Sequence, residues 1–318
     1  MRERLEQLDG LHCAIAVHRG QTMLEHYGSG EDFTWNTPLG TVDFEAHTLH
    51  DVRSVTKSVV ALLYGIALGD GLVPEPAAPL LASFPEYPDL AADPDRARLT
   101  VEHALTMSLG LEWKEEIPYN GPANAEIAME MAPDRYRFVL ERPVAEAPGV
   151  RYAYCGGASA LLGGLIARGT GRGLADFARD TLFAALGIDR FEWIAGPDGV
   201  VSAASGLRLA TPDLARIGQL VLAGGEWDGR QVVPANWLTA MLAPRLPIEW
   251  GGMYCYQWYS GEMAGHRWVG AMGNGGQRLT ILPELDLVVA IAAGNYDDPE
   301  QWRTPTAVLE QVVLPSVT

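Results

Sequence analysis

The sequence predicts an α+β fold, a mixed α/β sandwich. One antiparallel sheet is built from both ends of the chain, helices flank it, and a large helical insertion joins its two halves. Two observations carry this. Apolar runs of strand length, bounded by turn residues, lie at 12–28 and 276–294. The text between them follows the 3.6-residue period of helices. A third observation, that no repeat or long linker divides the chain, predicts a single domain over 1–318. Its sheet-bearing parts are about 1–50 and 245–318, and its mainly helical part is about 51–244.

The elements follow in order. Residues 12–28 read as a hairpin around Arg19-Gly20-Gln21. Residues 29–50 are polar and read as irregular. A helix begins near Ser54, with Val55, Val59, Leu62, Leu63, Ile66 and Ala67 on one face and Gly69 and Gly71 at its end. Residues 74–98 are rich in Pro and Ala and should wrap the surface. Thr100 caps the next helix, with His103 three residues on. Short helices and loops should fill 113–150. Two helices are expected over 157–169 and 172–186, divided at Thr170-Gly171. Thr211-Pro212-Asp213 opens another helix, which ends at Gly224-Gly225. Two strands around Pro283-Glu284-Leu285-Asp286 and a final helix over roughly 299–313 complete the chain.

Charge and composition exclude several roles. Forty acidic against 23 basic side chains leave a formal net charge of −17, which repels phosphate backbones and anionic lipid surfaces. No nucleic-acid or membrane partner is therefore expected. The longest apolar run, Val59 to Gly69, is far short of the roughly 20 residues that span a bilayer. No apolar segment follows MRERLEQLDG, so no signal peptide is read there. Cys13, Cys155 and Cys255 are odd in number and far apart, unlike a disulfide framework. A cytoplasmic protein is the expectation. The seven histidines contain no HExxH pair, so neither a metal site nor a cofactor is expected. His12 and His18 are assigned structural roles in the hairpin.

Three places carry candidate chemistry. Ser54 and Lys57 stand one helical turn apart at the start of an apolar helix. A serine hydroxyl needs a base to become a nucleophile, and a desolvated lysine can be one. An N-cap serine followed by a solvated lysine would read identically. Tyr154 precedes a glycine-rich helix entry, where its phenol could carry a proton into a cleft. Asn274-Gly275-Gly276-Gln277 leads into a strand whose backbone N–H could hold an oxyanion.

Five blocks in order then give a resemblance. Ser54-Val55-Thr56-Lys57, Met107-Ser108-Leu109-Gly110-Leu111, Tyr154-Cys155-Gly156, the text GLRLATPDLARIGQLVLAGGEWDGRQVVPANW and Asn274-Gly275-Gly276 resemble the beta-lactamase class C-like serine hydrolases over about residues 10–315. That family comprises class C beta-lactamases, DD-peptidases, esterases and amide hydrolases of the 6-aminohexanoate-dimer hydrolase type. The RSVTKS and YCGG forms are most similar to the last group and related esterases. The resemblance implies a beta-lactamase/transpeptidase-like fold. It makes Ser54 the nucleophile, Lys57 the base or proton shuttle, and Tyr154 a second proton carrier. It forms the oxyanion hole from the N–H groups of Ser54 and Gln277. Which of Lys57 and Tyr154 acts as base in each step stays open.

Two departures narrow the reading. Gly156 stands where the family's Tyr-x-Asn motif has Asn, and Asn274-Gly275-Gly276 stands where Lys-Thr-Gly or His-Thr-Gly is usual. The neutral Asn274 weakens the anchoring of a substrate carboxylate. The expected activity is therefore hydrolysis of a small carboxylic ester or amide, neutral or cationic, through a Ser54 acyl-enzyme. A true beta-lactamase or DD-peptidase is the first alternative, and an inactive binding or assembly module the second. Trp113, Asn274, Gly275 and Gly276 are the expected substrate contacts, with Trp250, Trp258 and Trp268 as further cleft candidates. Glu115 and Glu116 either face a cationic group or form a solvated pair. Cys155 is read as a small buried neighbour of Tyr154. A monomer or homodimer is expected.

Overall fold

Leu11–His18 and Gln21–Tyr27 form the first hairpin, and Arg19 and Gly20 turn it at φ of 52° and 72°. Two consecutive positive φ values match the right-handed twist of the strands. This hairpin is the end of one eight-stranded antiparallel sheet in the computed structural model, which describes residues 2–35, 37–119 and 121–317. In spatial order the strands are Leu246–Pro247, Met253–Tyr254, Tyr259–Met263, His266–Gly273, Gln277–Leu282, Leu287–Ala293, Leu11–His18 and Gln21–Tyr27. The two ends of the chain meet where Leu11–His18 pairs with Leu287–Ala293, Ile15 opposite Ala290. The sheet built from both termini is thus observed.

Both faces of this sheet are covered. Ile15, Val17, Leu279, Ile281 and Val288 pack with the helical region. Ala14, Ala16, Val289 and Ile291 pack with Val308, Leu309, Val312 and Val313 near the C-terminus. A strand buried on two sides reads as an unbroken apolar run, as LVVAIAA does.

Residues 29–50 differ from the expectation. Ser29–Thr34 and Thr37–Asp43 form a second hairpin, and Leu49–Asp51 pairs with Leu207–Ala210. The second hairpin is largely exposed, so its strands lack the apolar alternation that announces a strand. The last helix also starts later than expected, at Arg303 rather than about 299, and continues as a π-helical stretch over Val308–Val313.

The helix α1 (Val55–Gly69) is buried all round from Val55 to Ala67, and not on one face only. Its polar side chains are bonded inside the protein. Ser58 Oγ donates to Gln257 O at 2.6 Å, and Tyr64 OH to Pro74 O at 2.5 Å. A second helix, α2 (Gly156–Thr170), packs against it and ends at Gly171 in the left-handed region. Gln257 ties these helices to the capped helix Val101–Leu105: its Nε2 donates to Ala104 O, and its Oε1 accepts from Ser159 Oγ. The expected capping box is present, with Thr100 N donating to His103 Nδ1 at 3.1 Å.

Trp237 lies across α1 and donates from Nε1 to Ala61 O at 2.9 Å. A Cβ added at Gly65 would sit 1.9 Å from Trp237 Cδ1. Gly65→Ala therefore overpacks a rigid interface and should lower stability by about 1–3 kcal/mol. Calorimetry checks it: an unchanged Tm would show that Trp237 is free to move.

Candidate active site

The segment entering α1 is pinned before the candidate nucleophile. Asp51 accepts the Arg53 N–H on Oδ1 and the Trp35 N–H on Oδ2, both at 2.9 Å. Arg53 is held at φ 49°, a left-handed value uncommon for a side chain of this size. Its guanidinium donates to Trp35 O and lies 4.6 Å from the Tyr296 ring centroid. Ser54 then takes the N-cap position of α1, but its hydroxyl makes no capping bond. Instead, Ser54 Oγ accepts from Lys57 Nζ at 3.0 Å.

Lys57 is buried, at 2% exposure, so the solvated-lysine alternative does not hold. Its ammonium also donates to Ala204 O at 2.7 Å and Glu126 Oε2 at 3.2 Å. Tyr154 closes the group, with its ring centroid 4.9 Å from Lys57 Nζ. Burial, reinforced by the nearby Glu115, raises the phenol well above its usual range. Cys155 is buried and free, and burial pushes its thiol up, away from the reactive thiolate.

Two carboxyl groups that the sequence did not single out as a pair meet at this point. Glu126, on the short helix Ala125–Glu130, is fully buried and also accepts from Ser205 Oγ at 2.9 Å. Glu115 hydrogen-bonds to Glu126 and takes the Gly156 N–H and Trp113 Nε1–H at 2.6 Å each. Its other oxygen accepts from Tyr119 OH at 2.8 Å. Burial, followed by the charge of Glu126, pushes Glu115 up to about 8. Burial acts the same way on Glu126, but Lys57 and the hydrogen bonds from Glu115, Ser205 and Lys57 outweigh it and hold that carboxyl low. Glu116, by contrast, is exposed. The adjacent glutamates thus separate into one buried and one solvated residue.

The remaining expected residues part company. Ser54, Tyr154, Asn274, Gly276 and Gln277 line one cleft of about 1250 Å³. The Gln277 side chain is tied to the neighbouring strand, donating to Ala293 O at 2.6 Å and accepting Ala293 N at 3.1 Å. No backbone carbonyl takes the Ser54 N–H among the described residues. Asn274 is held at both ends of its amide by Asp297, at 2.6 and 2.8 Å. Gly275 is not in the cleft wall; it packs against Tyr296, and its N–H goes to Gln301. Trp113 also departs from the expectation. Its indole supports Glu115 and touches Gly157 and Phe138, because the segment after Leu111 turns it inward. Trp258 is core, bonded to Ser58 O, whereas Trp250, Trp268 and Trp302 do line the cleft.

A sequence model of the Beta-lactamase family matches residues 3–312. The chain belongs to that family. It is a serine hydrolase of the family's fold. It is 26% identical to the 6-aminohexanoate-dimer hydrolase of Paenarthrobacter ureafaciens, over 94% of this chain and 76% of that one. A candidate 6-aminohexanoate-dimer hydrolase from Bacillus anthracis superposes with a TM-score of 0.77 at 18% identity, covering 98% of this chain and 82% of the other. EstCE1, a hydrolase with promiscuous acyltransferase activity, gives 0.75 at 13% identity, with 96% of each chain covered. These structures share the beta-lactamase/transpeptidase-like fold. No helix is long and apolar enough to cross a membrane among the described residues.

His12, Asp32 and His50 bring potential metal-ligand atoms within 4.8 Å of one another in the interior. The sequence reading had assigned His12 a structural role, and a hydrogen-bond chain accounts for the geometry. His50 Nδ1 lies 3.1 Å from Asp51 O, and His12 Nδ1 lies 2.9 Å from His50 Nε2. Burial lowers both imidazoles, His50 to about 4, so the pair is neutral at pH 7.

The raised Glu115 makes stability depend on pH. A carboxyl that keeps its proton in the folded state up to about 8 binds protons that the unfolded chain, near 4.5, has released. Its stabilising contribution is complete below 4.5 and is lost as pH rises through about 8. Glu115→Gln should therefore flatten the fall in Tm between about pH 4.5 and 8. Parallel slopes for variant and wild type would place that loss elsewhere, for example at Glu130, which burial also raises.

Proposed function

We propose that this protein hydrolyses small carboxylic esters or amides through a Ser54 acyl-enzyme, with 1–318 acting as one catalytic domain. The observation that supports this most is the Ser54 hydroxyl. It is partly exposed at the cleft, free of capping duty, and 3.0 Å from a buried lysine. In the form of the site that has released one proton from the Lys57–Tyr154 pair to solvent, Ser54 Oγ attacks the substrate carbonyl carbon while its own proton passes into that pair. The carbonyl electrons move onto oxygen, which the N–H groups of Ser54 and Gln277 hold. Collapse expels the leaving group with a proton from the same pair, and water repeats the sequence to release the acid. No cofactor takes part in this scheme.

The cleft supports a cationic or neutral substrate. Glu116, Glu262, Asp297 and Asp298 line it, against the largely buried Arg278. The negative potential of these exposed carboxylates disfavours a carboxylate substrate of the beta-lactam kind. Trp250, Trp268, Trp302 and Tyr259 add apolar and cation–π surface. The three cysteines are free and buried, which suits a reducing, cytoplasmic setting. A monomer or homodimer serves this scheme equally well, since every proposed residue comes from one chain.

Intact-mass spectrometry after fluorophosphonate treatment tests the nucleophile. Wild type should gain one adduct and Ser54→Ala none, with p-nitrophenyl ester turnover falling at least about 1000-fold. An adduct retained on Ser54→Ala would remove Ser54 from the role. Charge preference is read by comparing an ester bearing a trimethylammonium group with its tert-butyl isostere. The cation should show the higher kcat/KM at low ionic strength, with the advantage shrinking in salt. Equal values at low salt would mean the acidic lining does not reach the substrate.

A further inference from the structure

The departure at Gly156 has a structural counterpart. A Cβ built on Gly156 would lie 2.3 Å from Glu126 Oε2 and 3.1 Å from Glu115 Oε2. Any side chain at this position would displace the carboxyl groups that meet Lys57. The space two residues after Tyr154 is filled from the opposite side by a glutamate. That glutamate is aimed: Asn124 Oδ1 caps its helix by accepting Glu126 N at 2.9 Å, Ser205 holds Oε1, and Oε2 reaches Lys57. Lys57 and Glu126 have side-chain exposures of 3% each, so neither charge has water as an alternative partner.

We infer that Glu126 is a positioning residue for Lys57: its carboxylate fills the space left open by Gly156 and supplies the counter-charge that keeps the lysine aimed at Ser54. This rests on Ser54 being the nucleophile. The buried group carries no net charge when Glu115 holds its proton, because the Lys57 ammonium and the Glu126 carboxylate cancel. Glu115 buttresses the arrangement by bonding Glu126 on one side and the Gly156 N–H on the other. The other titratable groups facing Lys57 are Tyr154 and Cys155 before α2 and Tyr259 from the sheet.

The test is the pH dependence of fluorophosphonate labelling and of ester kcat/KM, for wild type, Glu126→Gln and Glu115→Gln. Glu126→Gln keeps the shape but removes the counter-charge, so the protonated lysine becomes a lone buried charge. The limb of the profile that Lys57 governs should move to lower pH by about one unit or more, whichever limb that is. KM should change much less than kcat. Glu115→Gln should leave that limb in place. A Glu126→Gln profile that only shrinks in amplitude would overturn the inference. So would loss of the limb in Glu115→Gln, which would assign it to Glu115.

An exchange of positions guards against misfolding. Gly156→Asn alone should lose activity, because its side chain collides with Glu126. A carboxylate brought in from this side, Gly156→Asp combined with Glu126→Ala, should recover at least about tenfold over Glu126→Ala, because a negative charge again occupies the space. No recovery in a double variant that melts like wild type would overturn the inference. Failure of the underlying reading looks different, since wild type would then not be labelled at Ser54 at all.

Discussion

An ammonium buried beside a serine is the constraint around which the rest of this site is arranged. Lys57 cannot be withdrawn from water unless its donors are bonded and its charge is balanced. Ser54 Oγ, Ala204 O and Glu126 Oε2 meet those needs. Each comes from a different stretch of chain. Stripping one partner from a buried ion pair costs about 3–5 kcal/mol. That is enough to explain why the short helix Ala125–Glu130 and the segment around Ala204-Ser205 are held where they are. Gly156 is part of the same constraint, because only its missing side chain lets the carboxylates approach.

The polar chain continues beyond the lysine. Ser205 Oγ donates to Glu126, and Ser205 N donates to Ser202 Oγ at 3.1 Å. Ser202 Oγ donates to Glu130 at 2.6 Å, and Glu130 pairs with Arg135 at 2.8 Å. Arg135 ends in a two-point contact with Asp198 at 2.7 and 2.6 Å, nearer the surface. A network of buried ion pairs and hydrogen bonds of this kind rigidifies what it surrounds. The Ser54–Lys57 group is therefore supported from behind by hydrogen bonds and from the sides by apolar packing of α1 and α2.

The sheet supplies the other half of the geometry. Gly273 ends a strand that abuts the segment before Ser54; a Cβ there would sit 2.6 Å from Val52 O. Gln277 begins the next strand, and its buried amide locks onto Ala293. Because Leu287–Ala293 also pairs with Leu11–His18, closing the two chain ends into one sheet fixes the strand from which Gln277 joins the cleft wall. Asp51 and Arg53 set the nucleophile from the opposite side. Two rigid elements thus converge on one cleft wall.

Several features were legible in the sequence because they depend on local order. The hairpin at 12–28, the buried helix after Ser54, the cap at Thr100 and the strand pair around residues 283–286 follow from turn chemistry and periodicity. Ser54, Lys57 and Tyr154 stood out through spacing and motif order. The exposed hairpin at 29–43 did not, because a solvated ribbon carries little apolar alternation. Trp113 and Gly275 were assigned to the cleft on adjacency in sequence, but the chain's turn, which adjacency does not encode, faces them elsewhere. Glu126 was invisible for a related reason. It lies 69 residues from Lys57, and nothing in AEIAME marks it as a counter-charge. The sequence by itself marked Ser54, Lys57 and the vacancy at Gly156. Only the tertiary structure decided what fills that vacancy, because pairing a buried charge is a matter of which distant groups packing brings within about 3 Å.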